Sequence, residues 1–294
     1  MRFLTSIFLF SLSTIITIHA QDLSFAEKEL VLTSPLTNIY GTYLYPVNQK
    51  SFPCVLIIAG SGPTDRNGNS NMITGKNNSL KMLSEELAAQ GVASLRYDKR
   101  GVGQSRTPHF SETTLRFEDY VHDATQWINL LAGNDSIKSI GIIGHSEGSL
   151  IGMIAAARSQ TDFFVSLNGA GVRADSVIMD QLKNQPAKIQ NQVSEILGHL
   201  TEGETVDSIP ATLTSLFRPT VQPYLISWLQ YHPQTELAKL HIPVLIVQGR
   251  SDLQVSTANA LKLASATPGT KPVFIDSMNH VLKITGNQPA RNYN

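Results

Sequence analysis

The feature that most constrains this chain is a rhythm. Short, uninterrupted apolar runs occur at residues 55–59, 92–97, 140–143, 163–167, 244–247 and 273–275, and helix-like patterns lie between several of them, at 80–89, 117–131, 150–157 and 258–266. Runs this short and this continuously apolar fit strands buried on both faces. Strands alternating with helices predict a mostly parallel, twisted sheet covered by helices on both faces, an α/β architecture. Ahead of this rhythm, β-favouring runs at 29–33 and 40–45, separated by Pro35 and Asn38, predict an antiparallel pair.

The alternation breaks between residues 172 and 240, where the sequence turns polar, Gln-rich and helical, punctuated by Pro186, Pro210, Pro219 and Pro223. Leu182, Ile189, Val193, Ile196 and Leu197 recur at three- and four-residue steps or multiples of them, the spacing of one packed amphipathic face. The segment 172–240 is therefore expected to form an inserted helical cap, with the α/β core supplied by 21–171 and 241–294. A length of 294 residues suits one large domain carrying such an insertion.

At the N-terminus, Arg2 precedes an apolar run over residues 3–18 diluted only by Ser and Thr, followed by His19 and Ala20. This pattern reads as a signal peptide over residues 1–20. The run falls short of the ~20 predominantly apolar residues that a spanning helix requires. The expectation is export to the periplasm or the extracellular medium, with no stable membrane span after cleavage. Charge excludes another class of partner: 23 basic and 23 acidic residues cancel, so no net field draws the chain to nucleic acid. Cys54 is the only cysteine and sits inside an apolar run, where a buried, inert thiol is expected.

The chemistry is carried by Gly144-His145-Ser146-Glu147-Gly148, which joins the strand ending at Ile143 to a helix-like run of small and apolar residues. A G-x-S-x-G turn between strand and helix holds the serine in a strained backbone conformation and lifts its hydroxyl clear of the sheet. Glycines are required two residues either side because a side chain there would collide in so sharp a turn. Serine is a poor nucleophile at neutral pH and needs an imidazole to take its proton, itself held by a carboxylate. Asp252 follows the run at 244–247 and His280 follows the run at 273–275, both at strand ends and in the order Ser, Asp, His. Taken alone, Asp252 reads equally as a helix N-terminal residue; Ser146 and His280 make it the orienting acid. Asp276 is the rival acid, four residues before His280, and reads as structural.

Acyl transfer further needs N–H donors aimed at the developing oxyanion. The backbone N–H of Glu147 qualifies, and a second is expected from Gly60-Ser61-Gly62, with Ser61 preferred over Gly62. That glycine-rich loop lacks the spacing of a phosphate cradle, no histidine spacing suits a metal, and no cofactor motif is present. The expectation is a hydrolase without cofactor or metal.

The elbow, Asp252 and His280 in that order, and the loop after the early strand resemble the α/β-hydrolase superfamily. More narrowly, Gly60-Ser61-Gly62-Pro63-Thr64-Asp65-Arg66-Asn67-Gly68 and Tyr97-Asp98-Lys99-Arg100-Gly101-Val102-Gly103-Gln104-Ser105 resemble bacterial esterases related to the serine aminopeptidase-like branch. The resemblance implies a Ser146, Asp252, His280 triad, an acyl-enzyme intermediate, and loops organised by Asp65, Arg66, Asp98 and Arg100, whose simplest role is in salt bridges and turns. Two positions depart from the pattern. The common His-Gly before the oxyanion residue is Ala59-Gly60, and only residues 281–294 follow His280, where the superfamily usually has a final helix. Either that helix is absent or the chain is truncated, which predicts a loosely held His280 loop.

The leading expectation is hydrolysis of a small-molecule carboxylic ester. A serine aminopeptidase-like amide hydrolase would need an amine-holding carboxylate from the cap, such as Glu195, Glu202 or Glu204. A catalytically inactive binding protein on the same fold is the alternative from another class.

Overall fold

The computed structural model describes residues 24–33, 37–71, 75–286 and 288. The leader expected over residues 1–20 lies outside them. In chain order the elements are β1 (Phe25–Thr33), β2 (Asn38–Pro46), β3 (Phe52–Ile58), α1 (Ser79–Ala89), β4 (Ala93–Tyr97), α2 (Phe117–Ala132), β5 (Ile137–His145), α3 (Glu147–Ala157) and β6 (Phe163–Leu167). There follow α4 (Ala174–Gln181), α5 (Ala187–Thr201), α6 (Thr214–Phe217), α7 (Gln222–Trp228), α8 (Pro233–Ala238), β7 (Val244–Gly249), α9 (Thr257–Ser265) and β8 (Val273–Ile275).

The strands form one sheet in the order β1-β2-β4-β3-β5-β6-β7-β8. β1 and β2 pair antiparallel, β2 meets β4 antiparallel, and every pairing from β4 to β8 is parallel. The apolar runs therefore do become strands, although Leu245 of β7 and Val273 of β8 are exposed, so these two are not buried on both faces as expected; β3 shows why a fully buried run had to be continuous. Cys54, Leu56 and Ile58 point into the core shared with α2 and α3, whereas Val55, Ile57 and Ala59 point into the core on the face of α1. Both sets are buried, so no position could be polar without burying an unpaired group. Burial pushes the Cys54 thiol up to about 12, so it carries no thiolate at neutral pH.

Between β6 and β7 the chain leaves the sheet for α4 to α8. Val193, Ile196, Leu197 and Leu200 of α5 are buried, as the periodicity requires. The apolar stripe is not one helix, however: α4 stops at Gln181, Leu182 caps it, and α5 starts only after Pro186, because proline lacks the N–H that an uninterrupted helix would need there. α8 returns to the core and packs on α3, which is buried along nearly its whole length between α2 and α8.

The charged residues of the two resembling segments fasten loops. The Asp65 carboxylate accepts the N–H groups of Asn67 and Asn69 at 2.8 and 2.9 Å. Asp98 accepts the Arg66 guanidinium and the Arg66 N–H, each at 2.8 Å. Arg100 grips Asp123 of α2 with two bonds of 2.7 and 2.6 Å, tying the loop after β4 to the helix beneath it. Asp123 is 1% exposed, so losing its partner, or being lost, strands a charge away from water. Asp123→Ala is expected to lower unfolding stability by about 3–5 kcal/mol, read as a drop in urea midpoint at unchanged slope.

Candidate active site

The turn from β5 into α3 sets the geometry of everything around it. Ser146 has φ 55° and ψ −120°, outside the regions an L-residue adopts freely. It is held there by its N–H bonding to the Leu167 carbonyl at 3.0 Å, while its own carbonyl accepts from Ser149 N at 3.0 Å. The flanking glycines are steric necessities. A Cβ on Gly144 would lie 2.3 Å from the Gly148 carbonyl oxygen, and one on Gly148 would lie 2.3 Å from that of Ile58 in β3. The elbow can thus sit against the sheet only with hydrogen at both positions.

His280 lies on the loop after β8 and Asp252 on the loop after β7. The structure brings both to Ser146: His280 Nε2 is 3.0 Å from Ser146 Oγ, and His280 Nδ1 is 2.8 Å from Asp252 Oδ2. The Asp252 side chain is fully enclosed, and its other oxygen accepts the N–H groups of Gln254 and Val255 at 2.8 and 2.9 Å. These bonds fix the carboxylate plane before the imidazole arrives. Gln248 adds a weaker donor to Asp252 at 3.3 Å. Asp276, the rival acid, turns outward to Arg250 at 2.8 Å and takes no part.

The loop carrying His280 is not loosely held, contrary to expectation. Asn279 N bonds to the Lys283 carbonyl, Lys283 N bonds back to Asn279 Oδ1, and Thr285 N bonds to the Ser277 carbonyl, each at 2.9 Å. These bonds close residues 277–285 into a tight hairpin that steadies the histidine. Two further donors pin the His280 carbonyl: His145 Nε2 at 2.7 Å and Asn168 Nδ2 at 3.3 Å. Asn168 also accepts the Gly249 N–H at 2.8 Å, so one buried amide joins the ends of β6 and β7 to the His280 loop. The sequence signal for Asn168 was a polar residue at the end of a buried strand, the same signal that singled out Asp252 and His280.

The His145 ring is engaged by the His280 carbonyl. Burial, and then the neighbouring His280, lower its pKa to about 4, and its bond to a carbonyl fixes the proton on Nε2. It is a neutral strut and not a base.

Gly60 lies directly against Ser146: a Cβ there would stand 3.1 Å from Ser146 Cβ and 3.3 Å from His145 Nδ1. Ser61 and Glu147 border the same cavity as Ser146 and His280, a space of about 520 Å³. Glu147 opens α3, so its N–H has no partner within the helix. Most of the remaining wall is apolar and comes from the inserted helices, through Val177, Ile178, Leu216, Val221, Leu225 and Trp228. Glu195, Glu202 and Glu204 do not reach it. Glu147 is the single carboxylate among the described residues that line it, and its side chain is engaged by Lys99 at 2.9 Å and by the Tyr224 hydroxyl. Sequence reasoning missed Lys99 and Tyr224, because a loop lysine and a tyrosine in a polar segment carry no mark of burial. Among the described residues no group of three or more His, Cys, Asp or Glu is placed to hold a metal ion, and no helix is long and apolar enough to cross a membrane.

Comparison with known proteins finds a family match and several similar proteins. The family described as "Serine aminopeptidase, S33" matches residues 76–218. The chain is 27% identical over 264 residues to esterase EstD of Thermotoga maritima, covering 88% of this chain but 60% of that protein. It is 24% identical over 244 residues to the rhodomycin D methylesterase DauP of Streptomyces sp. strain C5, covering 70% of this chain and 80% of that one. Among solved structures, Est1E of Butyrivibrio proteoclasticus with ferulic acid bound superposes with a TM-score of 0.64 at 19% identity, over 86% of this chain and 92% of that one. The Pyrococcus furiosus esterase Pf2001 gives 0.61 at 17% identity, over 92% and 90%.

Two outcomes are expected from the geometry. Gly148→Ala should destabilise the protein by several kcal/mol or leave it unfolded, because the colliding atom is backbone; thermal melting checks this. His145 binds a proton more readily unfolded than folded. Its contribution is therefore present above about pH 6.5 and lost as pH falls towards about 4, and His145→Gln should flatten that part of a stability-versus-pH curve.

Proposed function

We propose that this chain, an α/β-hydrolase of the serine esterase-like kind, cleaves carboxylic esters through an acyl-enzyme intermediate, with Ser146 as nucleophile, His280 as general base and then acid, and Asp252 as the orienting acid. The observation that carries the reading is the hydrogen-bonded line Asp252–His280–Ser146, ending on a strained serine at the wall of a largely apolar cavity. In this reading Asp252 keeps the proton on His280 Nδ1, which leaves Nε2 free to take the Ser146 proton as Oγ attacks the ester carbonyl. His280 then returns that proton to the departing alcohol, and later removes one from the water that releases the acid. The N–H groups of Ser61 and Glu147 are assigned to the oxyanion of both tetrahedral intermediates.

Esters are preferred over peptides on an electrostatic ground. An aminopeptidase needs a carboxylate free to hold the substrate ammonium, and Glu147 is already committed to Lys99 and Tyr224. The relatives named as esterases point the same way. Residues 172–240 act, in this reading, as a cap whose apolar face receives the acyl or alcohol group, and the leader read at residues 1–20 sends the enzyme out of the cytoplasm.

Purified protein should release p-nitrophenol from short acyl esters, with little or no release from aminoacyl arylamides. Ser146→Ala should lower kcat by about 10⁴-fold or more, since the hydroxyl forms the covalent bond. Unchanged ester turnover in Ser146→Ala, or arylamide turnover exceeding ester turnover in the wild type, would refute the assignment.

A further inference from the structure

Behind the elbow lies a buried ionic cluster that the triad does not use. The Lys99 ammonium, on the loop after β4, is 1% exposed, sits 4.8 Å above the Tyr120 ring, and donates to the Gly60 carbonyl at 2.6 Å and to Glu147 Oε2 at 2.9 Å. The other Glu147 oxygen accepts the Tyr224 hydroxyl of α7. Burial, and then the Glu147 charge, push the Tyr224 phenol well above its ordinary pKa, which keeps it a donor.

As a stability device this cluster is poorly chosen. Taking an ammonium and a carboxylate out of water costs more than a well-packed apolar pair would, so charge here calls for another reason. The reason lies in the peptide that Lys99 touches. The Gly60–Ser61 bond is planar and trans, so its C=O and N–H point in opposite directions. A carbonyl clamped towards Lys99 in the interior turns the Ser61 N–H the other way, away from Lys99, and Gly60 itself abuts Ser146. An ammonium on the carbonyl also polarises the amide and strengthens its N–H as a donor. Glu147, which holds Lys99, supplies the other N–H at the mouth of α3.

We infer that Lys99 is a positioning residue for ester hydrolysis: through Gly60 it orients the Ser61 N–H, and through Glu147 it ties both oxyanion donors to Tyr224 of the inserted helices. This inference rests on the esterase reading above and adds to it a residue that touches neither the substrate nor the triad.

The test compares wild type, Lys99→Met and Lys99→Met/Glu147→Gln, each checked for folding by circular dichroism. The double variant removes the carboxylate that the single variant would strand, so it is the form to assay if the single one fails to fold. For each, kcat and KM are measured on a p-nitrophenyl ester, together with inhibition by an alkyl trifluoromethyl ketone, whose hemiketal anion needs the oxyanion donors whereas the ground-state ester does not. Positioning predicts that kcat falls about 10²-fold in both variants, that KM stays within about threefold, and that ketone affinity weakens in step with kcat. A folded double variant with near wild-type kcat, or one that loses rate without losing ketone affinity, would overturn the inference. Failure of both variants to fold would assign Lys99 to the fold alone and overturn it as well. Wild-type turnover and the Ser146→Ala control report on the esterase reading itself; only ratios to wild type report on Lys99.

Discussion

Everything at the centre of this protein depends on one sharp reversal of the backbone at Ser146. The chain leaves β5 and enters α3 with a single residue at positive φ, and the turn fits only because Gly144 and Gly148 let backbone pack on backbone. The strain at Ser146 is maintained by surroundings that leave no alternative: the Leu167 carbonyl takes its N–H, β3 stands behind Gly148, and α3 is enclosed by its neighbours. The same reversal fixes the start of α3, and with it the Glu147 N–H and side chain. The Ser146 hydroxyl, the helix mouth and the buried carboxylate are thus placed by one local constraint.

The partners of Ser146 are placed by the sheet. β6, β7 and β8 run parallel beside β5, so the loops at their C-terminal ends gather on one edge. That edge holds Asn168, Asp252 and His280, and the bonds of Asn168 to Gly249 and to the His280 carbonyl join the three loops into one body. The hairpin over residues 277–285 then holds the His280 loop locally. Its bonds run from backbone and from Asn279, and Asp252, His145 and Asn168 hold His280 from outside the loop.

Much of this was legible in the sequence, and the part that was not has physical causes. Strands buried on both faces must be continuously apolar, which is why residues 55–59 or 163–167 stand out; the elbow declares itself because its glycines have no substitutes. Asp252 and His280 are visible as polar residues that interrupt a chain just after such runs. The inserted helices were harder. Their periodicity located the buried face of α5 but hid the break at residues 182–186, since a short interruption leaves the spacing nearly intact. Lys99 and Tyr224 were invisible for another reason: both meet Glu147, 48 and 77 residues away in sequence, and no local pattern encodes such a meeting. For the same reason the sequence could not say whether Glu195, Glu202 or Glu204 reaches the cavity, and none of them lines it.

The central claim is that Ser146 is a nucleophile activated by His280 and not merely a strained serine. The most direct measurement is the rate and site of covalent labelling by a fluorophosphonate, read by peptide mass spectrometry on wild type and on a folded His280→Ala variant. The account predicts one adduct per chain, on Ser146, forming at least about 10²-fold more slowly without the imidazole. Labelling at another residue, or at an equal rate in His280→Ala, would contradict it.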